Sequence, residues 1–388
     1  MHIIRIDCTS KEFAIRLFQV LNDRGLDLTA ADLIKSQLIE RVEKLYSVAD
    51  PETYRQKEAQ FMSDWQATEQ TLKDTDLSQN DLFVLYQYYL LGRNPKRSLS
   101  DELREQFKDK DPNLVIADVK RFAECYPRLL ALQQRDVYAL RYTRWTVYWK
   151  TILLTAMMSD YPDFDGIAAA LRRFYYVYWV GGFTLSAVKQ VTFNMVGWIK
   201  EKKPIAFINE QIDQKIGRDK AHESAMNKLT GSIYHESWAK PLLLAFEYAT
   251  KERGQLGFID LAKDLHLEHI LPQSYATNSS WNHTSQEVAG RYMDTGGNLT
   301  LLSGSKNAQA SNRSFARKIE VYTGTGLELE NGSVTPFFIT QQIANDYHAN
   351  LYNKGWNEEA MVARWDWFCK RANEFLSITI PRGTTVNG

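Results

Sequence analysis

Cysteine is scarce in this chain of 388 residues: Cys8, Cys125 and Cys369 stand far apart, and no Cys-x-x-Cys pair occurs. An odd, scattered set excludes a disulfide framework and the paired-thiolate spacing of a structural zinc site, and it fits a reducing cytoplasm. An excess of one charge is lacking as well. Lys plus Arg and Asp plus Glu both total 47, so the formal net charge is zero. No global field draws the chain to nucleic acid or to an anionic membrane, and any site for a polyanion has to be local. Long apolar runs are also missing. WTVYWKTILLTAMM and FYYVYWVGGF are too short, or interrupted by Lys150, to span a bilayer, and MHIIRIDCTSKEF is no cationic, apolar leader. These absences describe a cytoplasmic protein without membrane contact or structural zinc.

What is present is a core-forming chain, 44% hydrophobic and long enough for two or three domains. HIIRID reads as a short strand, followed by a helix on Phe13, Leu17, Val20 and Leu21 that stops at Asn22-Asp23-Arg24-Gly25. A second helix opens with a capping box, Thr29 with Asp32, and keeps Ile34, Leu38, Val42 and Leu45 on one face. These elements make up a first region, 1–50. Residues 51–256 read as a helical scaffold whose Trp, Tyr and Phe stripes are core. Residues 257–325 change texture to strand, loop, strand and helix, the second strand (GGNLTLLSG) being entered through a glycine turn and the helix being SKNAQASNRSFARKIEVY. A C-terminal segment, 326–388, carries a last helix with Met361, Trp365, Phe368, Ala372 and Phe375 on one face. The fold class is α+β, predominantly α-helical.

The segment 257–325 holds the chemistry. Hydrolysing a phosphodiester calls for a base to activate water, a metal to neutralise charge on the phosphate, and a group that holds the base. In HLEHILPQSY, His269 is a candidate base and Glu268 offers hard oxygens suited to magnesium. If the pair ends a strand, the two side chains leave on opposite sides, one toward a metal and the other toward the attacking water. Asn298 could hold one ring nitrogen of His269 and free the other. Asn307, on the following helix, would complete the metal site. Lys306, Arg313, Arg317 and Lys318 give that helix a local positive face for the DNA backbone, without base-specific reading.

LEHILPQ followed by GGNLTLLSGSKNAQASN resembles the HNH, or ββα-metal, nuclease signature in the form found in GmrSD-type restriction endonucleases. The resemblance implies Glu268 and Asn307 as metal ligands, His269 as general base and Asn298 as the residue orienting it, with Asn312 supporting the loop. It also implies Mg2+, with Mn2+ as alternative, DNA as substrate, and a role in restricting phage DNA, modified DNA included. FQVLNDRGLDLTAADLIKSQLI is similar to a segment of the family's other domain, so 1–50 reads as a remnant of its N-terminal, ParB-like-associated region. The chain departs from the family in one respect: the Asp-Gly-Gln-Gln-Arg motif implicated in nucleotide hydrolysis occurs nowhere in it. The expectation is a fragment or a shortened relative that forms a homo-oligomer or meets a partner subunit supplying the nucleotide-dependent module.

The same residues admit two other readings. His266, Glu268 and His269 invite comparison with zinc peptidases, but His-x-Glu-His matches neither His-Glu-x-x-His nor its inverted form; His266 and His283 read as structural. The rival function is a catalytically weak DNA- or protein-binding regulatory subunit that keeps the nuclease fold as scaffold.

Overall fold

The structure is a computed structural model and describes residues 29–48, 50–251, 256–261, 264–325 and 335–380. Its chain divides into two compact units after Leu130, inside the stretch 51–256 read as one scaffold. The expected strand HIIRID and the helix ending near Gly25 lie outside the described residues. Regular structure among the described residues consists of seventeen α-helices, a few short 3-10 turns and one two-stranded sheet.

In the first unit, α1 (Ala30–Tyr46), α2 (Pro51–Leu72), α3 (Gln79–Leu91), α4 (Leu99–Phe107) and α5 (Pro112–Leu130) form a bundle. The expected capping box opens α1: Thr29 Oγ1 accepts from the Asp32 N–H and the Asp32 carboxylate accepts from the Thr29 N–H. Ile34, Leu38 and Val42 are buried, whereas Leu45 is 51% exposed. The stripe runs in steps of four and so continues to Tyr46, whose hydroxyl donates to Asp111. Phe61, Trp65 and Phe83 stack at the centre of this unit.

The second unit begins with α6 (Arg135–Arg141), α7 (Thr146–Met158), α8 (Phe164–Val180), α9 (Leu185–Lys200), α10 (Ile205–Arg218), α11 (Ala221–Leu229) and α12 (Ala239–Thr250). Asp163 caps α8, and every residue from Phe174 to Val180 is buried. A helix apolar on all sides belongs at the centre of a core. Its Tyr hydroxyls find partners there, Tyr175 beside Thr192 Oγ1 at 2.9 Å and Tyr176 donating to the Ala139 carbonyl at 2.9 Å. The aromatic stripes are core.

The site-bearing part follows: β1 (Leu265–His269), α13 (Gln286–Tyr292), β2 (Leu299–Ser303), α14 (Gly304–Ala310), α15 (Phe315–Thr323), α16 (Phe338–His348) and α17 (Glu358–Leu376). The strands are antiparallel, with Glu268 opposite Thr300 and His269 opposite Leu299. The single helix expected over SKNAQASNRSFARKIEVY is two. It breaks at Ser311, a non-glycine residue at φ 39. The broken turn's carbonyls are taken by the polar loop after β1: Asn278 Nδ2 donates to Asn312 O, and Trp281 Nε1 to Arg313 O at 3.2 Å. Asn312 thus supports the loop through its main chain.

The glycine pair of GGNL lies in the expected turn, closed by the Asn298 N–H donating to the Thr295 carbonyl at 3.0 Å, and although neither glycine has a positive φ it also serves close approach. A Cβ at Gly296 would fall 2.2 Å from the Phe368 ring, and one at Gly297 would lie 3.0 Å from the Met361 carbonyl. The pair lets α17 press against the entry to β2. The expected face of α17 faces inward: Met361, Trp365, Phe368 and Ala372 are buried, and Phe375 meets Tyr176 and Phe246. Buried Glu247, on α12, accepts from the Phe338 and Ile339 N–H groups and so caps α16.

Candidate active site

His269 and Glu268, adjacent on β1, point to opposite sides of the sheet, as strand geometry requires. Their surroundings differ. His269 ends the strand, is 8% exposed, and its Nε2 lies 2.8 Å from Asp294 Oδ1. A carboxylate only accepts, so Nε2 carries the proton and Nδ1 keeps its lone pair. The Tyr234 ring lies against the imidazole, 4.2 Å between centroids. Burial pulls the His269 pKa below its ordinary value, and the Asp294 carboxylate opposes that shift without reversing it. The imidazole is therefore neutral at pH 7.

Glu268, by contrast, is inside the core. Its Oε1 accepts from Lys318 Nζ at 2.6 Å and from the Tyr322 hydroxyl at 3.4 Å. Lys318, 0% exposed, also donates to the His269 carbonyl at 2.6 Å. Burial pushes the Glu268 carboxyl up and the Lys318 ammonium down. This corrects two expectations. Lys318 is a buried counter-ion, not a contact for DNA, and Glu268 is neutralised by that ammonium.

Asn298 is fully buried, and its side-chain hydrogen bonds go elsewhere than to the imidazole. Its Oδ1 accepts from the Leu271 N–H at 2.7 Å and from Trp356 Nε1 at 3.0 Å; its Nδ2 donates to the Leu271 and Met293 carbonyls, both at 3.0 Å. One side chain thus ties the loop leaving His269 to the turn that carries Asp294. The expected orienting role is corrected: Asn298 positions the backbone on both sides of the dyad, and Asp294 holds the ring.

Asn307 Oδ1, on α14, is a buried acceptor with no partner among the described residues. One of the two expected metal ligands is therefore open and the other is in use. Among the described residues no three His, Cys, Asp or Glu side chains converge as a metal site. Glu268 would have to leave Lys318 before it could share a divalent cation with Asn307. Of the remaining basic residues, Lys306 is buried and donates to the Val321 carbonyl at 2.8 Å, which corrects its assignment to the DNA face. Arg313 and Arg317 are exposed, Arg317 alongside Glu320.

Asp294, Tyr234 and the exposed His235 were not singled out from sequence. Tyr234 and His235 come from the turn after α11, brought in by the Ile233 N–H donating to the Asp294 carbonyl at 2.7 Å. Asp294 had one available signal, an acid four residues ahead of Asn298 at the entry to the second strand.

No helix among the described residues is long and apolar enough to cross a membrane. No curated protein matches the chain. Residues 219–371 match the family model described as GmrSD restriction endonucleases, C-terminal domain. That stretch, with His269, Asp294 and Asn298 inside it, is a C-terminal domain of the GmrSD restriction-endonuclease family.

Proposed function

We propose that this domain hydrolyses DNA phosphodiester bonds with His269 as the general base. The supporting observation is the His269–Asp294 pair at the end of β1, within a segment matched to restriction endonucleases. His269 Nδ1 takes a proton from water, and the hydroxide forms the new P–O bond as the bond to the leaving oxygen breaks. Asp294 stabilises the imidazolium formed in that step, and the proton passes on to the leaving oxygen or to solvent. Arg313 and Arg317 contact the backbone phosphates. The setting is restriction of phage DNA, modified DNA included, in the cytoplasm. No step is assigned to a metal.

One observation favours the second reading, a binding subunit that keeps the nuclease fold without cleaving. The Lys318 ammonium sits on Glu268, where a catalytic cation was expected. Supercoiled plasmid and modified phage DNA incubated with the full chain in Mg2+, Mn2+ or EDTA separate the two readings. Nicking by the parent that is lost in His269→Ala supports the nuclease. Binding without nicking under every condition supports the subunit.

A further inference from the structure

Away from His269, α16, the turn at 351–354 and α17 enclose a cavity of about 260 Å³. Phe315, Tyr347, Trp356 and Trp367 are among its lining residues, and the first three form one ring cluster with centroids 5.3 to 5.6 Å from Phe315. Arg364 enters this aromatic wall 6% exposed, its guanidinium 3.7 Å from the Trp367 ring centre. Its Nε and Nη2 are buried and have no hydrogen-bond partner among the described residues. Burial brings its pKa down to about 9. Asp346 also lines the cavity and accepts from Gln342 Nε2 at 3.0 Å.

A buried guanidinium edge without an acceptor is costly, and such groups are normally satisfied by something. The Nε–H and Nη2–H of that edge are parallel, which suits two adjacent acceptors once the side chain turns this edge, now without accessible surface, into the cavity. Flat aromatic walls suit a planar ring better than a bare oxyanion; Arg371 also lines the cavity but is paired with Glu374 at 3.1 Å, and the Asp346 carboxylate can accept N–H donors. Guanine combines these demands: adjacent O6 and N7 acceptors on one edge, N–H donors on another, and a stacking face.

We propose that this cavity binds a guanine base, supplied either by an unstacked nucleotide of DNA or by a free nucleotide. The choice of a nucleobase rests on the nuclease reading; the geometry of the cavity does not. The cavity is joined to the candidate active site, because Trp356 lines it and donates to Asn298, which pins the loops of His269 and Asp294. An occupant that moves Trp356 acts on the dyad through one side chain.

Isothermal titration of the full chain tests the proposal with GMP, AMP, inorganic phosphate, and single-stranded oligonucleotides carrying one guanine or an abasic site at that position. Saturable binding of GMP or the guanine strand, at least about tenfold tighter than AMP, phosphate or the abasic strand, is expected. Preference between the GMP and strand arms identifies the source. Arg364→Gln should weaken that binding about tenfold or more with an unchanged or raised melting temperature, since it removes an unpartnered buried charge; Asp346→Asn should weaken it severalfold. Absence of binding, or an equal response to AMP or phosphate, overturns the proposal. So does an Arg364→Gln variant that binds as the parent does. The assay contains no cleavage step, so an empty cavity in an active nuclease and a filled one in an inactive chain are told apart.

Discussion

Glu268 and His269 are neighbours on one strand, yet one is sealed in a core and the other stands in a half-open dyad. On the Glu268 side every contact is inward: a lysine with no exposed surface and the hydroxyl of buried Tyr322. On the His269 side the partner carboxylate, Asp294, keeps 31% of its side chain exposed, and Tyr234 and His235 lie beside it. The difference assigns stability to one side chain and chemistry to the next. A motif that places two functional residues together does not give them the same partners: Glu268 is held by an ammonium with no exposed surface, His269 by a carboxylate that reaches solvent.

The sharpest way to break this contrast is His269→Ala. Plasmid nicking should fall by roughly 10²- to 10⁴-fold, the usual worth of a general base, with the melting temperature moving by only a few degrees. On the other side, Lys318→Met should leave cleavage chemistry formally intact but lower the unfolding free energy by about 3–5 kcal/mol in urea titrations, because it strands the Glu268 carboxyl in the core. Pairing it with Glu268→Gln should restore much of the loss.

Asp294→Asn sharpens the His269 side. Loss of the group that holds the ring should cost about 10- to 100-fold in initial rate. The acid limb of the rate profile should already lie below pH 6.5 in the parent, since burial lowers the His269 pKa, and should move lower still without the Asp294 charge. The same depressed pKa makes the unfolded chain bind the extra proton first. The contribution of His269 to stability is then complete above its ordinary pKa of about 6.5 and is lost as pH falls below it. The smallest effect concerns DNA. Arg313→Ala and Arg317→Ala should each weaken binding a fewfold and reduce the salt slope by about one, while Lys306→Ala should leave the slope unchanged because that ammonium is buried.

Much of this architecture was legible. The capping box at Thr29, the inward face of α17 and the two strands around the Glu-His and Gly-Asn-Leu steps follow from local spacing and turn chemistry. The roles of individual polar residues were less so. Lys318 reads as a solvated cation in sequence, and only the return of α15 across β1 buries it against Glu268, fifty positions away. Asn298 and Asp294 lie four apart in the chain, but which of them meets His269 depends on how the 293–298 turn folds, and the amide is taken by backbone. The break at Ser311 was hidden because its cause, Asn278 and Trp281 donating to carbonyls, lies in a distant loop.

The central claim is that His269 works as a base held by Asp294, and titration of its imidazole by long-range ¹H–¹⁵N NMR in the full chain tests it most directly. The account predicts a neutral ring protonated at Nε2, a pKa below the ordinary histidine value, and a further fall in Asp294→Asn. A pKa at or above the ordinary value that is indifferent to Asp294→Asn would contradict it.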